Sequence, residues 1–112
     1  MTALSDFQNR HRSYAEGIFA EIRAMSASAA PGRGVTRFGF TPKETEVMER
    51  LEAYGRELGL EITRDPAGNT WMTMPGADRT KPAFMTGSHA DSVYDAGNFD
   101  GLAGIVAGLV AV

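Results

Sequence analysis

The 112-residue sequence contains no cysteine. Disulfides and thiolate metal sites are therefore excluded, and any bound metal must use nitrogen and oxygen donors. Histidine occurs twice and tryptophan once. There is no basic excess either. Eleven Lys and Arg stand against fourteen Asp and Glu, for a formal charge of −3. No basic patch stands out, which weighs against a nucleic-acid partner. No apolar run is long enough to span a bilayer, so no membrane partner is expected. The opening MTALSDFQNRHR lacks the apolar core of a signal peptide, and a cytoplasmic location is the default expectation. What is present suits a globular domain: hydrophobic residues make up 43% of the chain and charged residues 22%.

Helical spacing opens the chain. Phe7, His11, Tyr14, Ile18, Ile22 and Met25 recur every three or four positions, with Ser5 or Asp6 as the expected N-cap. The stretch SASAAPGRG, residues 26–34, reads as a loop. A second helix starts at Thr41-Pro42-Lys43-Glu44, which combines an N-cap, a proline at the first helical position and a capping-box glutamate. Val47, Leu51, Tyr54 and Leu58 form its apolar stripe, and Gly59 fits the C-terminal cap. Leu60 and Ile62 then alternate with polar residues. Asp65-Pro66-Ala67-Gly68 is a turn signal and residues 69–74 are rich in β-formers, so a hairpin is expected. Ala83-Phe84-Met85-Thr86 suits a buried central strand. The final run LAGIVAGLVAV, residues 102–112, predicts a helix buried all round, with Gly104 and Gly108 on one face permitting close packing against a sheet. A chain that stops inside such an element reads as the N-terminal piece of a larger protein.

The chemistry is concentrated in residues 87–101, GSHADSVYDAGNFDG. His89 and Asp91 are two apart, and in extended backbone they point to the same side. Asp91 can then orient the His89 imidazole, the pairing that metal-bound histidines usually show. A serine triad is disfavoured, because Ser88 and His89 point to opposite faces and no G-x-S-x-G elbow surrounds Ser88. A calcium loop starting at Asp95 would place Val106 where a bidentate glutamate is required. Neither phosphate-binding glycine motif occurs. Asp100 stands at the start of the last helix, where it serves either as a plain N-cap or as a carboxylate bridging two metal ions. Plainer roles compete throughout. His89 fits a structural strand end, Asp91 a solvated loop carboxylate, Asp95 and Asn98 turn formers, Trp71 hairpin packing and His11 a helix face. Residue chemistry alone leaves the metal site and the polar loop nearly balanced.

The segment Gly87-Ser88-His89-x-Asp91-Ser92-Val93, followed by Gly97-x-Phe99-Asp100-Gly101 and an apolar glycine-containing helix, closely resembles one family. It is similar to the N-terminus of the hydantoinase/carbamoylase branch of dinuclear zinc metallohydrolases. That branch includes N-carbamoyl-L-amino-acid hydrolase, allantoate amidohydrolase and β-ureidopropionase. Gly34-Val35-Thr36-Arg37-Phe38 resembles the branch's G-x-T-R segment, and Asp65-Pro66-Ala67-Gly68-Asn69 its D-x-x-G-N turn. Ala96-Gly97 departs from the pair of glycines common there.

The resemblance implies an α/β fold: the N-terminal portion (residues 1–112) of a zinc-exopeptidase-like catalytic domain. Two helices, a β-hairpin, a central strand and a buried helix would gather around a mixed sheet. It implies two divalent metal ions (zinc, or manganese, cobalt or nickel), with His89 a ligand of one, Asp100 the bridge and Asp91 the clamp on His89. The reaction implied is hydrolysis of a linear amide or ureido C–N bond in a small-molecule substrate. The family's Glu-Glu pair, its later histidine ligands and its dimerisation domain fall outside the matched segment, and the full-length protein is expected to be a homodimer. The 112 residues alone are then expected to be catalytically inert and to bind metal weakly. The competing reading is a free-standing small binding or scaffold domain. The reading frame after Val112 separates the two: a Glu-Glu pair soon after favours the enzyme, a stop codon the scaffold.

Overall fold

A computed structural model describes residues 2–112. Three helices and one hairpin follow in the order α1 (Ala3–Ser26), α2 (Pro42–Glu57), β1 (Glu61–Arg64), β2 (Thr70–Thr73) and α3 (Leu102–Ala111). The α/β class read from the sequence holds. α1 begins earlier than its expected cap at Ser5 or Asp6. Thr2 is extended, and its hydroxyl accepts from the Ser5 amide at 3.2 Å, so the helix is already closed when Ser5 is reached. α2 starts at Pro42 as expected, but the capping box does not form: the Thr41 hydroxyl donates back to Phe38 O at 2.6 Å, and Glu44 accepts from the Phe40 amide at 2.5 Å rather than from Thr41. Its end is a Schellman turn: Gly59, at φ +80°, donates to Arg56 O at 2.9 Å and Leu60 donates to Gly55 O at 2.9 Å.

The core lies where the helices meet. Ile18 and Ile22 of α1, Val47 and Leu51 of α2, and Leu102, Val106 and Leu109 of α3 are buried together with Leu60 and Ala90. Each such side chain contributes about 1.5–3 kcal/mol by leaving water. β1 and β2 pair antiparallel, Ile62 opposite Met72. α2 lies close over this hairpin at Gly55, where a Cβ would stand 2.9 Å from Met72 Sδ and 3.0 Å from Ile62 Cδ1. Asp65 closes the hairpin turn by accepting from the Ala67 and Asn69 amides, each at 2.9 Å, and from Trp71 Nε1 at 3.2 Å.

Two further expectations are corrected. Residues 83–86 do not form a buried central strand, and no mixed sheet forms. The only sheet among the described residues is the two-stranded hairpin, and Phe84 and Met85 are exposed. A strand needs a ladder partner for its amides and carbonyls. None pairs with this segment among the described residues, so its apolar side chains stay outside. α3 is not buried all round either. Leu102, Val106 and Leu109 face the core while Ala103, Ala107 and Ala111 are exposed. The anticipated role of its glycines survives in altered form. Gly104 faces Ser88 and Gly108 faces Thr86, so α3 lies along the extended segment itself rather than on a sheet.

Candidate metal centre

The site is assembled from three pieces of chain, two of them consecutive and one distant in sequence. The first is the extended stretch that ends in His89, laid along α3. Ser88 Oγ donates to Gly101 O at 2.7 Å. Gly101 caps α3 at φ +68° and ψ −46°, and a Cβ there would stand 2.3 Å from His89 O and 2.7 Å from His89 Nδ1. Only glycine lets the helix start this close to the imidazole. The second piece is residues 90–96, where Ala90, Ser92 and Ala96 are buried. The third is residues 33–37, threaded between α1 and that stretch. Val35 bridges to Ala27 on one side and to Ala96 on the other.

His89, Asp91 and Asp100 are brought together. His89 Nδ1 lies 3.0 Å from Asp91 Oδ1 and 3.1 Å from Asp91 O. With its proton on Nδ1 the ring donates to Asp91, and the Nε2 lone pair is left pointing elsewhere. Nε2 stands 3.6 Å from Asp100 Oδ1. That is too long for a hydrogen bond. Two ligands held about 2.0–2.2 Å from a tetrahedral ion lie about 3.3–3.6 Å from each other. The donor types and this separation suit two ligands of one divalent metal. Asp100 does not act as a plain N-cap, because no side chain caps α3 among the described residues. The three side chains are about half exposed. No group of three or more His, Asp or Glu able to hold a metal occurs among the described residues.

The remaining polar residues of the stretch are structural. Asp95, at φ +50°, accepts from the amides of Gly34 at 2.6 Å and Arg33 at 2.9 Å, which hold its carboxyl below the ordinary range. It forms the turn expected of it and also clips two distant segments together. Asn98 donates to Phe19 O at 3.2 Å. His11 bonds the Phe7 carbonyl at 2.7 Å on the α1 surface. Several glutamates of the helices pair elsewhere: Glu21 with Arg50, accepting also from the Tyr54 hydroxyl, Glu52 with Arg64 and Arg56, and Glu46 with Lys43.

One residue of the site was not singled out from the sequence. Arg37 is fully buried. Its Nε donates to Ala90 O at 2.8 Å and one terminal nitrogen to Ser26 Oγ at 2.9 Å. Its other terminal nitrogen has no partner among the described residues. Its backbone is tied to the same stretch, since the Arg37 amide donates to Ser92 Oγ at 2.9 Å and the Ser92 amide to Arg37 O at 2.7 Å. Burial pulls its pKa down, and the charges of Asp100 and Asp91 oppose that. The available signal was the G-V-T-R string itself: an arginine among small residues, with no acidic neighbour to pair it locally.

The chain is 41% identical over 100 residues to an N-carbamoyl-L-amino-acid amidohydrolase of Paenarthrobacter aurescens, covering 89% of this chain and 24% of that protein. It is 40% identical over 82 residues to the corresponding enzyme of Geobacillus stearothermophilus, covering 73% and 20%. The chain is homologous to these C–N hydrolases. An allantoate amidohydrolase of Escherichia coli also matches, at 31% identity over 78% of this chain and 21% of that protein. Crystal structures of AtUAH in complex with glyoxylate and with (S)-hydroxyglycine superpose at TM-scores of 0.78 and 0.79. Each is 27% identical and covers 87% of this chain and 22% of its own. No protein-family model matches. The chain thus spans about a fifth to a quarter of the length of these relatives.

Proposed function

We propose that this chain supplies part of the dinuclear metal centre of an amidohydrolase that cleaves linear amide or ureido C–N bonds. The substrate class is N-carbamoyl-L-amino acids, allantoate or ureidopropionate. One observation carries the reading: His89 Nε2 and Asp100 Oδ1 converge at 3.6 Å while Asp91 occupies Nδ1, in a chain homologous to enzymes of that chemistry. His89 would be a ligand of one metal and Asp100 would bridge both. Zinc, or manganese, cobalt or nickel, fits the nitrogen and oxygen donors. When bound, such a pair of ions polarises the scissile carbonyl and lowers the pKa of water. Asp91 fixes the imidazole tautomer and its direction. Gly101 and Ser88 set how far the imidazole stands from the carboxylate at the start of α3.

The same reading makes the full-length protein a cytoplasmic homodimer whose other ligands and general base lie outside these residues. The 112-residue chain alone is then expected to be inert. No helix among them is long and apolar enough to cross a membrane. The test is reconstitution of the metal-stripped full-length protein with each metal and assay against the three substrates. Turnover of one of them, lost in His89→Ala and Asp100→Ala variants that remain folded, is expected. Turnover that survives either substitution, or none with any metal, refutes the assignment.

A further inference from the structure

The proposed centre leaves one feature unexplained: a fully buried guanidinium directly behind it. Burying a cation costs several kcal/mol, and well-packed apolar residues of similar volume often serve stability as well or better. Arg37 is moreover incompletely satisfied, with one terminal nitrogen unpartnered among the described residues. Core packing alone therefore gives no reason for a charge at this position.

Its bonds do. One runs to Ala90 O, the carbonyl between His89 and Asp91. Another runs to Ser26 Oγ in the last turn of α1, and Ser26 in turn donates to Ile22 O at 2.6 Å. Ile22 is itself a fully buried core residue. The guanidinium thus ties the backbone of the His89–Asp91 pair to the buried core. The two-way backbone bond with Ser92 pins the next residue. We propose that Arg37 is a positioning residue of the His89–Asp100 centre: through its bonds to Ala90 O, Ser26 and Ser92 it fixes residues 90–92, without touching metal or substrate. This inference rests on the metal-centre reading above.

The test uses the full-length protein, with zinc ions alone as the probe. The zinc dissociation constant is measured by chelator competition, and the unfolding midpoint of the metal-free protein is recorded alongside. Arg37→Met keeps the stem and removes the charge and the fork. It is expected to weaken zinc binding by about 10–100-fold in protein that is still fully folded, the usual range for loss of a group that orients a ligand. Arg37→Lys keeps the charge and is expected to recover part of that loss. Ser26→Ala removes the bond that anchors Arg37 to α1 while leaving every proposed ligand in place, and is expected to weaken zinc binding in the same direction by less. A purely structural role would lower the unfolding midpoint and leave the zinc affinity of folded protein unchanged, and that result for Arg37→Met overturns the proposal. Should Arg37→Met fail to fold, a folded Ser26→Ala protein with unaltered zinc affinity overturns it equally. Wild-type protein that binds no zinc removes the metal-centre reading itself, and this inference with it.

Discussion

Gly101→Ala is the most demanding perturbation of the site that leaves every proposed ligand in place. Gly101 has φ +68° and ψ −46°, a region that L residues enter at a cost of about 1–3 kcal/mol. The added methyl would also stand 2.3 Å from His89 O and 2.7 Å from His89 Nδ1. The first contact is with backbone, so no rotamer change relieves it. Either the start of α3 or the His89 strand must move by about 1 Å to reach ordinary contact, and overpacking of this kind costs about 1–3 kcal/mol. The two effects together predict about 2–6 kcal/mol of destabilisation, against a typical total of about 5–15 kcal/mol. Urea unfolding of the metal-free full-length protein measures the first consequence. The second is specific to the site: the shift changes the His89–Asp100 separation, so zinc affinity of the folded fraction falls as well. Destabilisation below about 1 kcal/mol together with unaltered zinc binding would show that α3 does not set the position of His89.

Gly108→Ala is the matching control on the same helix. A Cβ there meets only the Thr86 methyl at 3.5 Å, an ordinary contact, so the variant is expected to gain about 0.5–1 kcal/mol in urea unfolding from helix propensity. Asp91→Asn keeps the shape beside His89 Nδ1 but removes the charge that orients it, and calorimetry should find metal binding about 10–100-fold weaker. Glu52 is nearly buried between α2 and the hairpin. Burial pushes its carboxyl up, but hydrogen bonds from Arg64, Thr70 and Arg56 and the charge of Arg64 outweigh this and hold it below the ordinary 4.5. A folded pKa below the unfolded one contributes stability that is complete above pH 4.5 and is lost as pH falls through the lower folded value. Glu52→Gln should therefore lower stability at pH 7 by about 1–3 kcal/mol and flatten the acid limb of the stability curve. An acid limb as steep as that of the wild type would exclude Glu52 as a source.

Features fixed by neighbouring residues were legible in the sequence. Thr41-Pro42-Lys43-Glu44 starts α2, Gly59 ends it, and Asp65 with Gly68 and Asn69 closes the hairpin, because each uses bonds within five residues. The His89–Asp91 pair was legible for the same reason, since the period of extended backbone puts both on one side. Properties that depend on distant chain were not. Arg37 is buried because Ala90, Ser92 and Ser26 close around it, and those partners are 11 to 55 residues away. Asp95 forms the turn its type suggests, but the amides of residues 33 and 34 that donate to it were not visible in the sequence. Residues 83–86 have the composition of a buried strand, but burial is a property of the partner, and composition cannot supply one.

The two sides of the site differ in a way that bears on its use. Behind it, Arg37, Ala90 and Ser92 are buried and bonded to the core. In front, His89, Asp91 and Asp100 are each about half exposed. Here Nδ1 is spent on Asp91, while Nε2 faces Asp100 at a distance that suits a shared ion better than a hydrogen bond. An imidazole held by Asp91 at Nδ1 leaves Nε2 open on the exposed side for a partner. Under the proposed function that is a metal ion, with its remaining donors approaching from the open side.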